Sequence, residues 1–316
     1  MNDLKLKKLS TKRPVSLGAE KWLGKPTKCL DHGFVYLVDY MGNDLSIEQA
    51  ARVSYGGGTR KVSETTGLIR YLRRHAHTTP FEMVELKFHA KMPIFVARQW
   101  IRHRTVSVNE ISGRYSKLDK EFYVPEKTVL AEQSTNNKQG RGKTIPEKYA
   151  DEVRKILLED GNTNYDHYEN LVNTDVEGNP KDKDKPMLAR ELARMELSLN
   201  YYTQWYWKIN LHNFMHFSEL RLDPHAQYEI RIYAEAMSKI VKSAFPIAWQ
   251  AFEDYDLNSQ KLTSLETKIL EKIIRGKNRL SAEDLIKKAV KVGMENKREQ
   301  NEMLEKFKTF GAISSS

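Results

Sequence analysis

Val84-Glu85-Leu86-Lys87-Phe88-His89-Ala90-Lys91-Met92 places apolar residues at every second position, with charged or polar ones between them. Successive side chains leave a strand on opposite faces, so this period of two predicts a strand over 84–92 with one buried face. Pro93 follows, suited to a helix's first turn because the N–H it lacks would have no acceptor there. The next residues predict a helix from about Ile94 to His103, in which Phe95, Val96 and Trp100 reach a core. Gln99 and Arg102 are three apart and share another face, so the strand-to-helix unit delivers a polar edge to a cleft.

Outward from this unit, residues 33–41 read as a second strand and Tyr201 to Ile209 as a third, aromatic and β-prone. Ser46-Ile47-Glu48-Gln49 has capping-box spacing for a helix to about Val53, and Gly56-Gly57-Gly58 then breaks the chain. A helix around 63–75 sets Leu68, Leu72 and His75 on one face and is interrupted before Pro80. Residues 126–186 are polar and predict an exposed insertion, with loops at 136–140 and 181–185 around a short helix near 147–159. Pro186 opens a helix through about Leu197, and 211–221 and 226–245 read as helices. In the last sixty residues Leu262, Leu265, Ile269, Ile273, Leu285, Ala289 and Val292 recur with helical spacing, which predicts helical appendages.

The 316 residues are 40% hydrophobic, enough for one substantial core or two small ones. No apolar run approaches the roughly 20 residues of a membrane span, and the start lacks a secretory signal's apolar centre, so a cytoplasmic protein is expected. One cysteine, Cys29, excludes an internal disulfide and thiolate-rich metal sites. The net charge of +10 resembles a nucleic-acid footprint until it is divided along the chain. Residues 1–30 carry 8 Lys/Arg against 2 Asp/Glu, residues 257–316 carry 13 against 8, and the middle is one charge short of neutral. Arginines grouped in such a middle answer a local anion, and no helix-turn-helix, zinc-finger or aromatic RNA-binding pattern accompanies the basic flanks. A nucleic-acid-binding protein would be colourless and retard oligonucleotides at low salt.

The arginines are Arg98, Arg102, Arg104 and Arg114, against a single acid, Glu110. Guanidinium forks match phosphate oxygens, and Gly113 permits close backbone approach to a ligand. On the arginines alone the plainer reading is a solvated basic helix face. The full string, Arg102-His103-Arg104, seven residues, then Ser112-Gly113-Arg114, resembles the signature of the flavin-dependent thymidylate synthases. The similarity extends to Met41-Gly42-Asn43-Asp44-Leu45-Ser46, Ala51-Arg52-Val53-Ser54, His77 with Thr79-Pro80-Phe81-Glu82, Ala193-Arg194, Asn210, and Arg221-Leu222-Asp223 with Ala226-Gln227. It covers roughly residues 31–255.

The resemblance implies an α+β fold, a mainly antiparallel sheet flanked by long helices, in a catalytic domain at 31–256 between a basic flank at 1–30 and an extension at 257–316. It implies methylation of dUMP to dTMP with FAD as cofactor, NADPH and methylenetetrahydrofolate as co-substrates, and a homotetramer with shared sites. Gln99, Arg102, Glu110, Ser112, Gly113, Arg114, Arg194 and Arg221 would surround dUMP, with Arg221 the activating group. FAD contacts would come from Ser54, His77, Thr79, Arg102, His103, Arg104, Glu110, Asn210, His212 and His216. The chain departs from the family's pattern at His212 and His216, where several members carry arginine and asparagine. Other readings stay open: Arg221 as a helix-end arginine pairing with Asp223, Ser112 as a nucleophile, and a metal on the histidines. Neither a nucleophile elbow around Ser112 nor a glutamate after His212 supports the last two, so no metal is expected. The single cysteine, Cys29, precedes the matching region, so if dTMP is made here the cysteine-dependent route is not the one expected.

Overall fold

The computed structural model describes residues 12–53, 64–135, 139–175, 177–260, 262, 264–275 and 281–313. In chain order its elements begin α1 (Leu17–Glu20), β1 (Thr27–Cys29), β2 (Gly33–Met41), α2 (Asp44–Arg52), α3 (Thr65–Arg74), α4 (Thr79–Glu82), β3 (Glu85–Pro93), α5 (Ile94–Trp100) and β4 (Ser107–Glu110). They continue with β5 (Ala131–Gln133), β6 (Arg141–Thr144), α6 (Glu147–Val172), α7 (Arg190–Ala193), β7 (Tyr202–Asn210), α8 (Leu211–Arg221), α9 (Tyr228–Ala244) and α10 (Pro246–Phe252). Then come α11 (Ser264–Arg275), α12 (Ala282–Lys291) and α13 (Lys297–Thr309). The chain divides into two compact units after Phe252.

In the first unit the alternating run is β3, at the middle of a five-stranded antiparallel sheet of order β1-β2-β3-β7-β4. β3 and β7 pair from Glu85↔Asn210 to Pro93↔Tyr202 without a register break. One face buries Leu86, Phe88, Ala90 and Met92 of β3, Trp205, Trp207 and Ile209 of β7, and Val35 and Leu37 of β2. A one-residue slip would turn this whole set outward, so the pattern fixes the register. Helices α5, α8 and α9 cover the face. Trp100 of α5 packs edge-on against Trp205 and Trp207, stacks on Phe217 of α8 and meets Tyr233 of α9.

Pro93 serves as N-cap of α5 and supplies no side-chain cap. The helix's first two amides instead donate to the carbonyls of Tyr201 and Leu199, at 2.8 and 3.0 Å, which satisfies donors that would otherwise be orphaned. The helix ends at Trp100, three residues before the predicted end, so Arg102-His103-Arg104 is a turn and not a helix face.

Several sequence expectations are corrected. The capping box of α2 is closed by Asn43 and Ser46, so Ser46 is its third helical residue and not its cap. In α3 the buried residues are Ile69 and Leu72, while His75 is exposed, and Pro80 lies within α4. The predicted helix from Pro186 to Leu197 is reduced to α7 and a single tight turn at Arg194–Glu196. The Gly56–Gly58 break lies outside the described residues.

The largest correction concerns the short helix predicted near 147–159 within residues 126–186: it is longer, and one face of it is buried. This helix, α6, runs 26 residues, and Tyr165, Tyr168 and Val172 form a core cluster with Ala193 and Tyr201. Gly161 lets α6 cross the Phe122 ring: a Cβ there would come within 2.5 Å of it. The tyrosines also hold residues 117–119, because Tyr165 Oη donates to the Leu118 carbonyl (2.8 Å) and the Leu118 amide donates to Tyr168 Oη (3.2 Å).

In the second unit, Ser281 caps α12 and Asn296 caps α13. Leu285 and Ala289 are buried, but Val292, expected on the same face, is 81% exposed. The side chains of Ile269 and Ile273 lie outside the described residues. Among the described residues no helix is long and apolar enough to cross a membrane.

Trp100 is fully buried where three helices meet the sheet. Replacing it with alanine is expected to destabilise the protein by about 3–5 kcal/mol, the usual cost of a large aromatic deleted from a core, read as a lowered denaturation midpoint.

Candidate active site

The turn after α5 is anchored by the His103 amide, which donates to the Trp100 carbonyl at 3.0 Å. The half-buried His103 ring lies edge-on against Phe217 of α8, with ring centroids 4.9 Å apart, and 6.1 Å from the His216 ring. Its Nε2 accepts a hydrogen bond from Arg221 Nε at 3.1 Å. Burial, then the Arg221 guanidinium, then His216 push the His103 pKa down to about 4. His103 is therefore neutral near pH 7, and because Nε2 is an acceptor the ring proton sits on Nδ1.

Arg221 does not pair with Asp223, which instead accepts from the His225 amide at 2.7 Å and ring Nδ1 at 2.9 Å. Half-burial lowers the Arg221 pKa, yet a guanidinium stays protonated under ordinary conditions. With Nε committed to His103, its two terminal nitrogens are available to a ligand. Arg102 and Arg104 on the same turn are exposed and have no carboxylate partner among the described residues. Gln99 keeps a buried side-chain oxygen with no hydrogen-bond partner there.

A second group forms where β4 leaves the sheet. Glu110, exposed, accepts from Thr203 Oγ1 at 2.5 Å. The Ile111 amide bonds to the Gln204 carbonyl and extends the ladder by one residue, after which Ser112-Gly113-Arg114 turns toward α6 and α7. The Ser112 hydroxyl accepts from the Arg114 amide at 3.3 Å. Gly113 is closely packed by the protein itself: an added Cβ would lie 3.0 Å from the tip of Leu118, which would have to give by a few tenths of an ångström, and 3.5 Å from the Arg194 side chain. Arg114 reaches Glu191 at 3.2 Å, a pair more than half exposed and so energetically weak. Arg194 is exposed with no carboxylate partner among the described residues.

The remaining predicted residues lie on α4 and α8. His77 and Thr79 are exposed before and at the start of α4, which packs against α8. His212 and His216 sit one turn apart on α8, half-buried and exposed respectively. Asn210 caps that helix, its side-chain oxygen accepting from Asn213 N and Nδ2 at 2.9 Å each, so only its amide nitrogen is left for a ligand. Ser54 lies outside the described residues. The structure thus brings His103, His216 and Arg221 together, and Ser112, Gly113, Arg114 and Arg194 together, with no hydrogen bond or ion pair between the two sets among the described residues.

Sequence reading missed Thr203 and Glu191, the partners of Glu110 and Arg114, and also Arg190. Arg190 binds the Tyr115 carbonyl at 3.1 Å and keeps its buried Nε without a partner. The spacing of Arg190 and Arg194, one helical turn, was the available signal. A cleft of about 330 Å³ lined by His32, Lys120, Phe122 and Arg154 contains none of the predicted residues.

A flavin dinucleotide presents a pyrophosphate and a ring edge rich in acceptors and donors. Exposed, carboxylate-free Arg102 and Arg104 and the Nδ1–H of a neutral histidine as donors, with the unsatisfied Gln99 oxygen as an acceptor, fit such a group.

The family model described as thymidylate synthase complementing protein matches residues 36–247. The flavin-dependent thymidylate synthase of Rickettsia bellii (strain RML369-C) is 55% identical over 268 residues, spanning 84% of this chain and 91% of that protein. That of Rickettsia prowazekii (strain Madrid E) is 50% identical over 300 residues, 95% and 99% of the two chains. Among solved structures, the UMP/dUMP methylase PolB from Streptomyces cacaoi bound with 5-Br UMP superposes with a TM-score of 0.62 at 32% identity, over 73% of this chain and 97% of that one. The five-stranded antiparallel sheet, the order of the motifs along it and similarity across nearly the whole chain agree, and the protein belongs to the flavin-dependent thymidylate synthase family.

Proposed function

We propose that this chain converts dUMP to dTMP with methylenetetrahydrofolate and NADPH, and that Arg221 activates the pyrimidine. The observation that carries the residue assignment is the Arg221–His103 hydrogen bond, which turns a helix-end arginine away from Asp223 and ties it to the Arg102-His103-Arg104 turn. With Nε held, the guanidinium presents its remaining N–H groups as a fixed fork. Directed at the N3–O4 edge of uracil, such a fork stabilises negative charge on that edge and raises electron density at the carbon to be methylated. A donor fixed before the reaction needs no reorganisation during it.

FAD, when bound, supplies the hydride chemistry of a reductive methylation. Arg102, His103 and Arg104 would hold it, with Ser54, His77, Thr79, Glu110, His212, His216 and the Asn210 amide nitrogen as further contacts. Arg114 and Arg194 would take the nucleotide phosphate, with the Ser112 hydroxyl and the Gly113 backbone beside it, and Gln99, Arg102 and Glu110 would contact the rest of dUMP. The reading without a thiol nucleophile is supported by Cys29, which is 1% exposed in β1 and whose pKa burial pushes up to about 12. A thiol so placed supplies no thiolate at neutral pH. Tyr115 beside Arg114, and Leu192, Met195 and Leu199 around Arg194, are exposed, an apolar surround for charged side chains that suits coverage by another subunit of a homotetramer.

The direct test is dUMP-dependent oxidation of NADPH by purified protein, with and without methylenetetrahydrofolate; no oxidation and no dTMP from a folded, yellow sample would reject the reading. Arg221→Ala is expected to keep bound FAD and lose dTMP formation by about 10²-fold or more, a usual loss when one charge-stabilising donor is removed. Mixing that variant with an Arg104→Ala chain is expected to restore part of the activity in verified mixed tetramers, if sites are shared.

Acid should disable the Arg221 arrangement. The folded His103 pKa of about 4 lies below the ordinary 6.5, so between these values the unfolded chain binds more protons than the folded one. The neutral ring's contribution is complete above about pH 6.5 and is lost as pH falls toward about 4. Denaturant unfolding across that window should show stability falling on acidification, with a smaller fall in His103→Gln.

A further inference from the structure

Arg221 ends α8, the chain turns through Leu222–Gln227, and α9 begins at Tyr228. The turn is tied internally by the Ala226 amide to the Asp223 carbonyl (2.9 Å) and by Arg231 Nη1 to the Pro224 carbonyl (2.9 Å). Its last residue, Gln227, donates its side-chain amide to Glu229 Oε2 at 3.0 Å. Glu229, in the first turn of α9, is 2% exposed. A carboxylate so buried requires a partner, since desolvating an unpaired charge costs several kcal/mol.

That partner comes from β6, within the polar stretch 126–186. Arg141 of β6 places Nη2 at 2.6 Å from both oxygens of Glu229, donates Nη1 to the Val129 carbonyl at 3.1 Å, and lies over the Tyr228 ring. Tyr123 Oη completes the shell at 3.3 Å. Three segments distant in sequence, the β5–β6 hairpin, the strip at Tyr123 and the start of α9, thus converge on one carboxylate that also holds Gln227.

We propose that Arg141 is a positioning residue of the pyrimidine site: by neutralising Glu229 it fixes Gln227 and the turn that follows Arg221, so that the hairpin sets the affinity for dUMP without touching it. The proposal rests on the assignment of Arg221 above. Without Arg141 the Glu229 carboxylate keeps, among the described residues, only the neutral donors Gln227 and Tyr123 in a buried place. It then draws in water or a proton, and in either case Gln227 and the turn lose their fixed position. The flavin contacts on the Arg102–Arg104 turn and α4 share no hydrogen bond with this cluster among the described residues, so flavin retention should not follow the same variable.

The test compares Arg141→Met, Arg141→Lys, Glu229→Gln and the double variant Arg141→Met/Glu229→Gln as full-length, flavin-loaded proteins. In Arg141→Met the KM for dUMP is expected to rise about tenfold, a coupling of ordinary size for a shared network, with kcat changed less than about twofold and flavin content unchanged. Arg141→Lys should recover part of the loss, and the double variant should be less impaired than the two single effects multiplied. An unchanged KM in Arg141→Met, a fall in kcat alone, or strictly multiplicative effects in the double variant would overturn the proposal. Should Arg141→Met lose its fold, Arg141→Lys and Glu229→Gln decide the matter: both retaining wild-type KM overturns it, and a raised KM in either supports it. Failure of the underlying assignment is separately visible, because then Arg221→Ala itself retains dUMP turnover.

Discussion

The burial of Trp100 against the β3–β7 pair is the constraint on which the rest of the first unit depends. An indole enclosed by Trp205, Trp207, Phe217 and Tyr233 fixes α5 in both rotation and height over the sheet. Each such side chain contributes roughly 1.5–3 kcal/mol by leaving water, so a four-way aromatic contact outweighs anything the exposed ion pairs of the neighbouring motif can supply. Three residues later His103 reaches α8 through Phe217, which is itself part of that contact. Polar placement at the candidate site is therefore inherited from apolar packing directly beneath it.

This order of forces explains how arginines can stay unpaired. Exposed guanidiniums without carboxylates cost the fold little, because water screens and solvates them. Half-buried Arg221 is different. It meets a neutral histidine, and a neutral acceptor leaves its positive charge uncancelled for use elsewhere, whereas an aspartate in the same place would have neutralised it. Asp223 is kept away by its own bonds to His225.

The sheet was legible because β3 alternates with a period of two and because β2 and β7 are rich in aromatic and other β-prone residues: all three fall within a residue of their expected bounds. β4 was not, since Ser107-Val108-Asn109-Glu110 is an edge strand with one neighbour and nothing buried, and its composition is that of a loop. The length of α6 was hidden by the polarity of its outer face. Its buried positions, Ala150, Gly161, Tyr165, Tyr168 and Val172, include a glycine and two tyrosines, which a count of aliphatic residues passes over. For the candidate site, the motif strings name the side chains but carry no sign of the partners those side chains bind. Glu191, Thr203 and Glu229 lie 77, 93 and 88 positions from the residues they bind, separations that only the folded chain closes.

The same hidden helix changes what the two halves of the motif rest on. Arg102-His103-Arg104 is carried by α5 and α8 on the sheet's buried face, but Ser112-Gly113-Arg114 is carried by residues 117–119, which the tyrosines of α6 hold by hydrogen bonds to the backbone. Between them lies β4, four residues at about 3.4 Å each, in fixed register with β7. Neither cluster can slide toward the other without breaking that ladder. The two cationic groups are thereby held at a set spacing on separate supports. The supports have different histories in the sequence: one reads as an alternating strand followed by a proline-led helix, the other as a polar stretch whose tyrosines are its only clue.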